Sequence, residues 1–275
     1  MNDLPPIRDW LEREGLWANK GLGQHFLLDM NITRRIAREA GEIAGKAVIE
    51  VGPGPGGLTR ALLEAGADPL IVIEKDARFL PLLEPLIAWS GGRLRIVQGD
   101  ALELDEAALL QGATASLVSN LPYNVGTPLL VKWLKAGAWR GPMTLMFQRE
   151  VAERIVAKPG GDAYGRLAVL TQARCEARIA FTIPARAFTP PPKIDSAVVR
   201  LIDRADPYPH LDALEQVTAA AFGQRRKMLR SALKALTPDA GALLEAAEID
   251  PTARAEEIDQ AGFRRLAEAW RAMAA

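Results

Sequence analysis

A short apolar run that leads into a glycine-rich loop is the feature of this sequence that most restricts its fold. Val48–Val51 is rich in β-branched residues, and the loop Gly52-Pro53-Gly54-Pro55-Gly56-Gly57 follows it at once. Residues 58–65 then have helical character. This order predicts a strand, a tight turn and a helix. Glycines at such a turn let a ligand approach the backbone closely.

Three further apolar runs each lead to a polar residue at or just beyond their end. The runs and these residues are Leu70–Ile73 with Glu74, Leu94–Val97 with Asp100, and Ser116–Ser119 with Asn120. Because the runs alternate with helical stretches, we predict an α/β fold: a mostly parallel, Rossmann-like sheet with helices on both faces. Ligands bind such sheets beyond the carboxyl ends of the strands, where Gly52 and these polar residues fall.

The rest of the chain is predicted to complete this sheet and then to form a small all-α domain. The predicted elements are a strand at Met143–Phe147, a helix at Glu150–Ala157, strands at Arg166–Ala173 and Ala197–Leu201, and an extended surface lip at Pro184–Pro192. From Leu211 onward, alanine and leucine recur at helical spacing. We therefore expect one domain over residues 1–204 and a helical domain over 205–275.

Composition argues against several classes of protein. The 34 basic and 34 acidic residues cancel, which argues against coating of nucleic acid by bulk charge. The single cysteine, Cys175, cannot form an internal disulfide, and with two histidines we expect no metal site. No apolar run approaches the roughly 18 residues needed to cross a bilayer. We expect a cytoplasmic, monomeric protein that does not bind membranes.

Glu74 follows Gly52 by 22 residues, a position from which its carboxylate can hold two ribose hydroxyls. This spacing predicts a cofactor that contains a nucleoside. Gly52, Gly54 and Gly57 also satisfy the dinucleotide pattern, so a dehydrogenase stays open at this point. Asp100 is placed to accept a hydrogen bond from an adenine amino group. Each feature has a structural alternative. The glycine loop could be a turn with only a packing role, and Asp100 could be a solvated loop residue.

The tetrapeptide Asn120-Leu121-Pro122-Tyr123 indicates the chemistry. The lone pair of an adenine amino group is delocalised into the ring, so the amine is a poor nucleophile. The Asn120 side-chain oxygen and a main-chain carbonyl at the Pro122 turn can each accept one N–H and favour a tetrahedral nitrogen. Tyr123 can stack on the base. The alternative is that the tetrapeptide forms an Asx-Pro turn with no catalytic role. Its position at the end of the fourth predicted strand, beside the expected cofactor site, favours methyl transfer.

A cluster of cations lies in the predicted helical domain. Its members are Arg225, Arg226, Lys227, Arg230 and Lys234, with no acidic residue between them. Arg226, Arg230 and Lys234 recur every four residues, which predicts a basic face of one helix suited to an RNA backbone. A solvated charged face is the alternative.

The chain resembles the KsgA/RsmA family of ribosomal RNA adenine dimethyltransferases over nearly its whole length. The matching stretches are Leu22–Leu27, Ile49–Gly54, Val72–Glu74, Asn120–Asn124, Gln148–Val151, Ala163–Leu167, Ala187–Val199 and Phe222–Lys227. Several ordered motifs of this kind are not expected by chance.

This resemblance implies transfer of two methyl groups from S-adenosylmethionine to N6 of each of two adjacent adenosines near the 3′ end of 16S ribosomal RNA, within the immature small subunit. It also implies an N-terminal segment that covers the cofactor. By position, the cofactor site comprises His25, Leu27, Gly52, Glu74, Asp100 and Asn120. The adenine site comprises Asn120, Leu121, Pro122 and Tyr123, with Phe188 as a second aromatic, and the basic cluster holds the RNA.

The sequence departs from the family in having His25 where many members have asparagine, and in the loop Gly160-Gly161-Asp162. Three alternatives share the expected cofactor site or the Asn-aromatic motif: a methyltransferase of large-subunit RNA that confers drug resistance, a DNA adenine methyltransferase, and an assembly factor that mainly binds the immature subunit. The helical region from Leu211 and the run Phe188–Val199 favour the small-subunit enzyme.

Overall fold

The computed structural model describes residues 4–16 and 25–274, so Leu22–Gln24 of the first matching motif lie outside the described residues. Seven strands form one sheet in the order β4-β3-β2-β5-β6-β9-β7, and β1 and β8 form a second, small sheet. The strands are β1 Phe26–Leu27, β2 Ala47–Val51, β3 Leu70–Glu74, β4 Leu94–Gln98, β5 Ala115–Asn120, β6 Arg140–Gln148, β7 Cys175–Ile183, β8 Phe188–Thr189 and β9 Ser196–Asp203.

The five strands from β4 to β6 run parallel, whereas β9 is antiparallel to β6. Every residue of β2 and β3 is buried, as expected for near-continuous apolar strands covered by helices on both faces. The predicted α/β fold is therefore confirmed. Because β4, β3, β2 and β5 are adjacent and parallel, their carboxyl ends meet along one edge of the sheet.

Helices connect these strands and form most of the C-terminal region. They are α1 Ile7–Arg13, α2 Met30–Glu39, α3 Gly57–Glu64, α4 Leu80–Trp89, α5 Glu106–Leu110, α6 Gly126–Leu134, α7 Arg149–Val156, α8 Arg166–Arg174, α9 Leu211–Gly223, α10 Leu229–Ala232, α11 Ala240–Ala246 and α12 Gln260–Ala274. In the part of the chain that the structure describes, no helix has the length and apolar character to span a membrane.

The chain divides into two compact units. The first spans residues up to 152 together with 178–202, and the second comprises 153–177 and the residues from 203 onward. The second part of this unit starts at residue 203. The segment 153–177, which we had assigned to the first domain, instead clusters with the helical region, because α8 packs against α9 and α12.

The prediction of a strand at Arg166–Ala173 is wrong, since this segment forms α8. Its short apolar run fits either a strand or a buried helix by periodicity alone, and its leucine, alanine, glutamine and arginine residues are good helix formers. The strand of this region, β7, follows directly at Cys175–Ile183 and was missed.

The proline-rich segment Pro184–Pro192 differs in part from the extended lip that we predicted. A single 3₁₀ turn forms at Ala185–Ala187. β8 then pairs antiparallel with β1, where Leu27 lies opposite Phe188. Phe188 is only 3% exposed and packs in the core of the first unit.

Candidate active site

Two cavities lie at the carboxyl edge of the sheet, both within the first unit. The glycine-loop cavity, of about 80 Å³, is lined by His25, Leu27, Glu50, Gly54, Asn120 and Tyr123, among others. The β3–β4 cavity, of about 410 Å³, is lined by residues that include Ile73, Lys75, Gly99, Asp100, Val125 and Leu129. Gly52, Glu74 and Pro122 line both cavities. The structure thus brings the strand-end residues together, as expected for this kind of sheet.

The glycine loop passes close to the Asn120–Tyr123 turn. Gly52 has φ +67°, and a Cβ at this position would lie 3.2 Å from Cδ of Pro122. Gly54 has φ +51°, and its Cβ would lie 3.3 Å from the Phe26 ring. Both backbone conformations favour glycine. Side chains at these two positions would therefore strain the loop and crowd its neighbours.

Glu74 is a buried carboxylate held by two backbone amides. The N–H of Gly54 donates to its Oε2 at 3.1 Å, and the N–H of Asp76 donates to its Oε1 at 2.7 Å. Burial raises the pKa of Glu74, while these hydrogen bonds oppose that rise. The two bonds fix the carboxylate between the glycine loop and the end of β3, where both cavities are accessible to it.

Asp100 faces the β3–β4 cavity and already has two partners. The Nζ of Lys75 lies 2.6 Å from Oδ2, and the N–H of Leu102 donates to Oδ1 at 2.9 Å. The hydrogen bond from Lys75 is the main reason that the pKa of Asp100 is lowered. Asp100 is therefore ionised at neutral pH and can act only as an acceptor.

Asn120 is the last residue of β5 and lines the glycine-loop cavity half-buried. In the turn that follows, the N–H groups of Val125 and Gly126 both donate to the Pro122 carbonyl at 3.1 Å. The hydroxyl of Ser119 donates to the Val51 carbonyl at 2.5 Å, which ties the end of β5 to the end of β2. The turn is thus fixed from both sides.

Tyr123 is held at the same cavity through its ring and its hydroxyl. The hydroxyl lies 2.6 Å from Oγ of Ser196 on β9. Burial raises its pKa, so the phenol is neutral at physiological pH. The ring lies 5.4 Å from the His25 imidazole, centroid to centroid, at an interplanar angle of 32°. The aromatic side chain is therefore oriented before any ligand binds.

His25 contacts the proline-rich segment. Its Nδ1 lies 2.8 Å from the Pro190 carbonyl, and since a carbonyl only accepts, Nδ1 carries the proton and donates. Leu27 lies nearby, buried, and its carbonyl would be 2.8 Å from a Cβ on Gly57. Phe188, which we expected on the base, is buried and does not line either of the two cavities described above.

Glu50 is a site residue that the sequence analysis did not single out. It is 1% exposed, lines the glycine-loop cavity and accepts a hydrogen bond from the Thr59 hydroxyl at 2.7 Å. Burial raises its pKa to about 8. The signal in the sequence was a single acidic residue within an otherwise apolar strand, because such a group is costly to bury unless it has a role or a partner.

The raised pKa of Glu50 predicts a pH-dependent stability. The folded state binds this proton more tightly than the unfolded chain, so the stabilisation is complete below about pH 4.5 and is lost as pH rises toward about 8. We expect Glu50→Gln, which cannot ionise at this position, to resist urea better than the wild type. The difference between the two urea midpoints should increase from about pH 4.5 to about pH 8 and then stay constant. A margin independent of pH would contradict this assignment.

The basic cluster is not the single helix that the sequence predicted. α9 ends at Gly223, Arg225–Lys227 form a turn, Arg230 lies in α10, and Lys234 lies in a 3₁₀ turn. The helix is interrupted because Met228 pairs with Arg254 in an isolated bridge and the Leu229 N–H donates to the Ala253 carbonyl. All five cations are exposed.

The guanidinium of Arg225 contacts the backbone of its own unit. It donates to the carbonyls of Asp162 and Tyr164 at 3.1 and 2.8 Å.

Among residues 4–16 and 25–274, no group of three or more His, Cys, Asp or Glu side chains is arranged to hold a metal ion.

The chain matches known proteins along most of its length. The model of a family described as ribosomal RNA adenine dimethylase matches residues 15–271. Ribosomal RNA small subunit methyltransferase A of Phenylobacterium zucineum is 63% identical, over 98% of this chain and 94% of that protein. The protein of the same name from Azorhizobium caulinodans is 57% identical, over 98% and 94%.

Solved structures have the same fold. A dimethyladenosine transferase from Plasmodium falciparum superposes with a TM-score of 0.73 at 24% identity, covering 88% of this chain and 96% of that one. The 23S rRNA methyltransferase ErmE gives a TM-score of 0.67 at 26% identity, covering 90% and 99%.

Proposed function

Because the chain belongs to the ribosomal RNA adenine dimethylase family, we propose that it dimethylates N6 of two adjacent adenosines near the 3′ end of 16S ribosomal RNA, with S-adenosylmethionine as methyl donor. The observation that carries this proposal is the position of Asn120 and Tyr123 at a cavity that shares Gly52 and Glu74 with the β3–β4 cavity. One edge of the sheet thus offers a cofactor site and a base site side by side.

The residues of the β3–β4 cavity fit S-adenosylmethionine. The fixed Glu74 carboxylate is suited to accept from two ribose hydroxyls, and the ionised Asp100 from the adenine amino group. Gly52, where a Cβ would meet Pro122, leaves room for close approach of the cofactor to the backbone. Leu27 and His25, which line the neighbouring glycine-loop cavity, complete the proposed set. When bound, the cofactor supplies a methyl group activated by a sulfonium.

At the base site, two oxygen acceptors prepare the adenine amine for attack. Asn120 Oδ1 accepts one N–H of N6. We assign the second acceptor to the Leu121 carbonyl, because the Pro122 carbonyl already accepts from Val125 and Gly126. Accepting both hydrogens favours a tetrahedral nitrogen whose lone pair points to the methyl group. S-adenosylmethionine held in the β3–β4 cavity would supply the methyl group to N6, with formation of the N–C bond offset by cleavage of the methyl–sulfur bond and release of a neutral thioether. The positively charged methylated nitrogen is acidic and would release its proton to solvent water.

The small-subunit substrate is favoured over the large-subunit one by the comparison of identities. The relatives named ribosomal RNA small subunit methyltransferase A are 57–63% identical over nearly their full length, whereas the 23S rRNA methyltransferase ErmE is 26% identical. We propose that this chain acts as a monomer on the immature small subunit.

This assignment is tested by mapping the product. The protein is incubated with labelled S-adenosylmethionine and, in separate reactions, with small or with large ribosomal subunits from cells that lack the enzyme, and the modified RNA is analysed by mass spectrometry. We expect dimethylated adenosines at two adjacent positions near the 3′ end of 16S RNA. Label confined to 23S RNA, or subunit binding without methyl incorporation, would instead support the large-subunit or assembly-factor alternative.

We propose that the second unit binds the RNA backbone through Arg226, Lys227, Arg230 and Lys234, with Arg225 mainly holding its own loop. Arg226→Glu and Arg230→Glu should each weaken RNA binding and reduce the slope of log K against log salt by roughly 0.7. Arg271→Glu, at an exposed residue of the same unit paired with Glu268, is the control and should leave the slope unchanged. Equal slopes for all three variants would refute the assignment.

A further inference from the structure

Lys132, on α6, contacts three acceptors in the segment that follows β4. Its Nζ donates to the carbonyl oxygens of Ala101 and Leu104, both at 2.6 Å, and lies 2.8 Å from Oε2 of Glu106. An ammonium has three N–H donors, so these contacts use all of them. The Glu106 side chain is only 2% exposed, and the ammonium therefore also compensates a buried negative charge.

The neighbouring residue of the helix holds the other carboxylate oxygen. Trp133, which is fully buried, donates from Nε1 to Oε1 of Glu106 at 2.9 Å. Glu106 is the first residue of α5, immediately after the helix cap Asp105. Two consecutive side chains of α6 thus fasten the segment between β4 and α5.

This fastening joins two walls of the β3–β4 cavity. Gly99, Asp100 and Ala101 form one wall, and Val125 and Leu129, at the start of and within α6, belong to another. Leu129 lies one helical turn before Lys132. Asp100 depends on the same loop, because its own carbonyl accepts from the N–H groups of Glu103 and Leu104.

We propose that Lys132 is a positioning residue for cofactor binding, one that sets the distance between Asp100 and the α6 wall of the β3–β4 cavity. This inference rests on the proposed function, in which Asp100 accepts from the adenine of the cofactor. Without the ammonium, two carbonyls lose their donor and the buried Glu106 carboxylate loses its counter-charge, so the loop that carries Asp100 must rearrange. Losing a hydrogen bond to a charged group such as the Asp100 carboxylate typically weakens binding on the order of 10- to 100-fold.

Arg93 offers a matched control in the same unit. It also holds backbone carbonyls, donating from Nε to Ser90 at 2.9 Å and from one guanidinium nitrogen to Leu63 and Ala67 at 3.0 and 3.2 Å. Arg93 precedes β4, at the amino end of the strands, and does not line the β3–β4 cavity. If cofactor affinity fell only because a cation that binds backbone carbonyls was lost, it would fall in Arg93→Met as well as in Lys132→Met.

The experiment measures the affinity for S-adenosylhomocysteine by calorimetry, which does not depend on catalysis. We expect Lys132→Met to weaken binding about 10- to 100-fold, whereas Arg93→Met binds as the wild type does. With saturating cofactor, kcat of Lys132→Met should stay within a few-fold of wild type while KM for the cofactor rises. Lys132→Arg, which keeps the charge, should restore part of the affinity.

A second variant keeps the test decisive if Lys132→Met does not fold. The double variant Lys132→Met/Glu106→Gln has no uncompensated carboxylate at this position. It still lacks the hydrogen bonds from Lys132 to the Ala101 and Leu104 carbonyls, so its affinity for S-adenosylhomocysteine should still fall at least 10-fold. Wild-type affinity in either Lys132 variant, or an equal loss in Arg93→Met, would overturn the proposal. A wild-type protein that does not bind S-adenosylhomocysteine would instead overturn the proposed cofactor, and this inference with it.

Discussion

Replacing Asn120 with alanine is expected to lower kcat for adenine methylation by about 10²- to 10³-fold, the loss typical of removing one group that stabilises charge in a transition state. Asn120 ends β5 and lines the glycine-loop cavity, so its amide oxygen is the side-chain acceptor proposed for N6. Without it, only the Leu121 carbonyl remains to accept. The rate is measured in single turnovers with saturating cofactor and undermethylated subunits.

The control for this variant is Asn124→Ala, which changes an exposed asparagine of the same turn that lines the β3–β4 cavity but not the glycine-loop cavity. It should affect methyl transfer far less than Asn120→Ala does. Thermal unfolding and cofactor affinity show whether the fold and the neighbouring site remain intact. A kcat for Asn120→Ala within a few-fold of wild type would remove the amide from the mechanism.

Replacing Tyr123 with alanine is expected to lower kcat/KM for the RNA substrate by about 5- to 150-fold, which corresponds to the roughly 1–3 kcal/mol measured for stacking of one base on an aromatic side chain. The ring is held beside His25 by the hydrogen bond between its hydroxyl and Ser196. This loss should appear mainly with RNA, and the affinity for S-adenosylhomocysteine should change little.

Tyr123→Phe separates stacking from hydrogen bonding. It keeps the ring and loses only the contact with Ser196, and a typical hydrogen bond contributes about 0.5–1.5 kcal/mol. We therefore expect it to retain most of the activity. If Tyr123→Phe were as impaired as Tyr123→Ala, the hydroxyl and not the face of the ring would be the functional group.

The first half of the fold could be predicted because its strands are short runs dominated by apolar residues; β2 and β3 are buried on both faces, whereas β4 is partly exposed. Each predicted run lies within an observed strand: Val48–Val51 in β2, Leu70–Ile73 in β3, Leu94–Val97 in β4 and Ser116–Ser119 in β5. The polar residues at their ends share one edge because parallel neighbours place all carboxyl ends on the same side. The parallel sheet and the shared edge of its strand ends followed from this pattern alone.

The second half was less predictable because its short apolar segments have no unique periodicity. α8 and β7 follow each other without a break at Arg174 and Cys175, and no glycine or proline marks the change. The basic cluster had ideal helical spacing, but tertiary contacts at Met228 and Leu229 interrupt the helix. Long-range contacts of this kind leave no signal in a local pattern.

Contacts within the site were also beyond local patterns. Lys75 pairs with Asp100 across 25 positions in the chain, and Lys132 binds carbonyls of a loop that comes before β5. Neither lysine belongs to a recognisable motif. The sequence identified the residues proposed to meet the ligands, whereas the residues that hold them in place became visible only in the folded chain.

A crystal structure of the protein with S-adenosylhomocysteine and a short RNA that carries the target adenosine tests the central claim most directly. We expect the base to be turned out of its stack against Tyr123, with N6 about 2.7–3.2 Å from both Asn120 Oδ1 and the Leu121 carbonyl oxygen. N6 bound by other groups, with the Asn120 amide turned away from the base, would contradict the account.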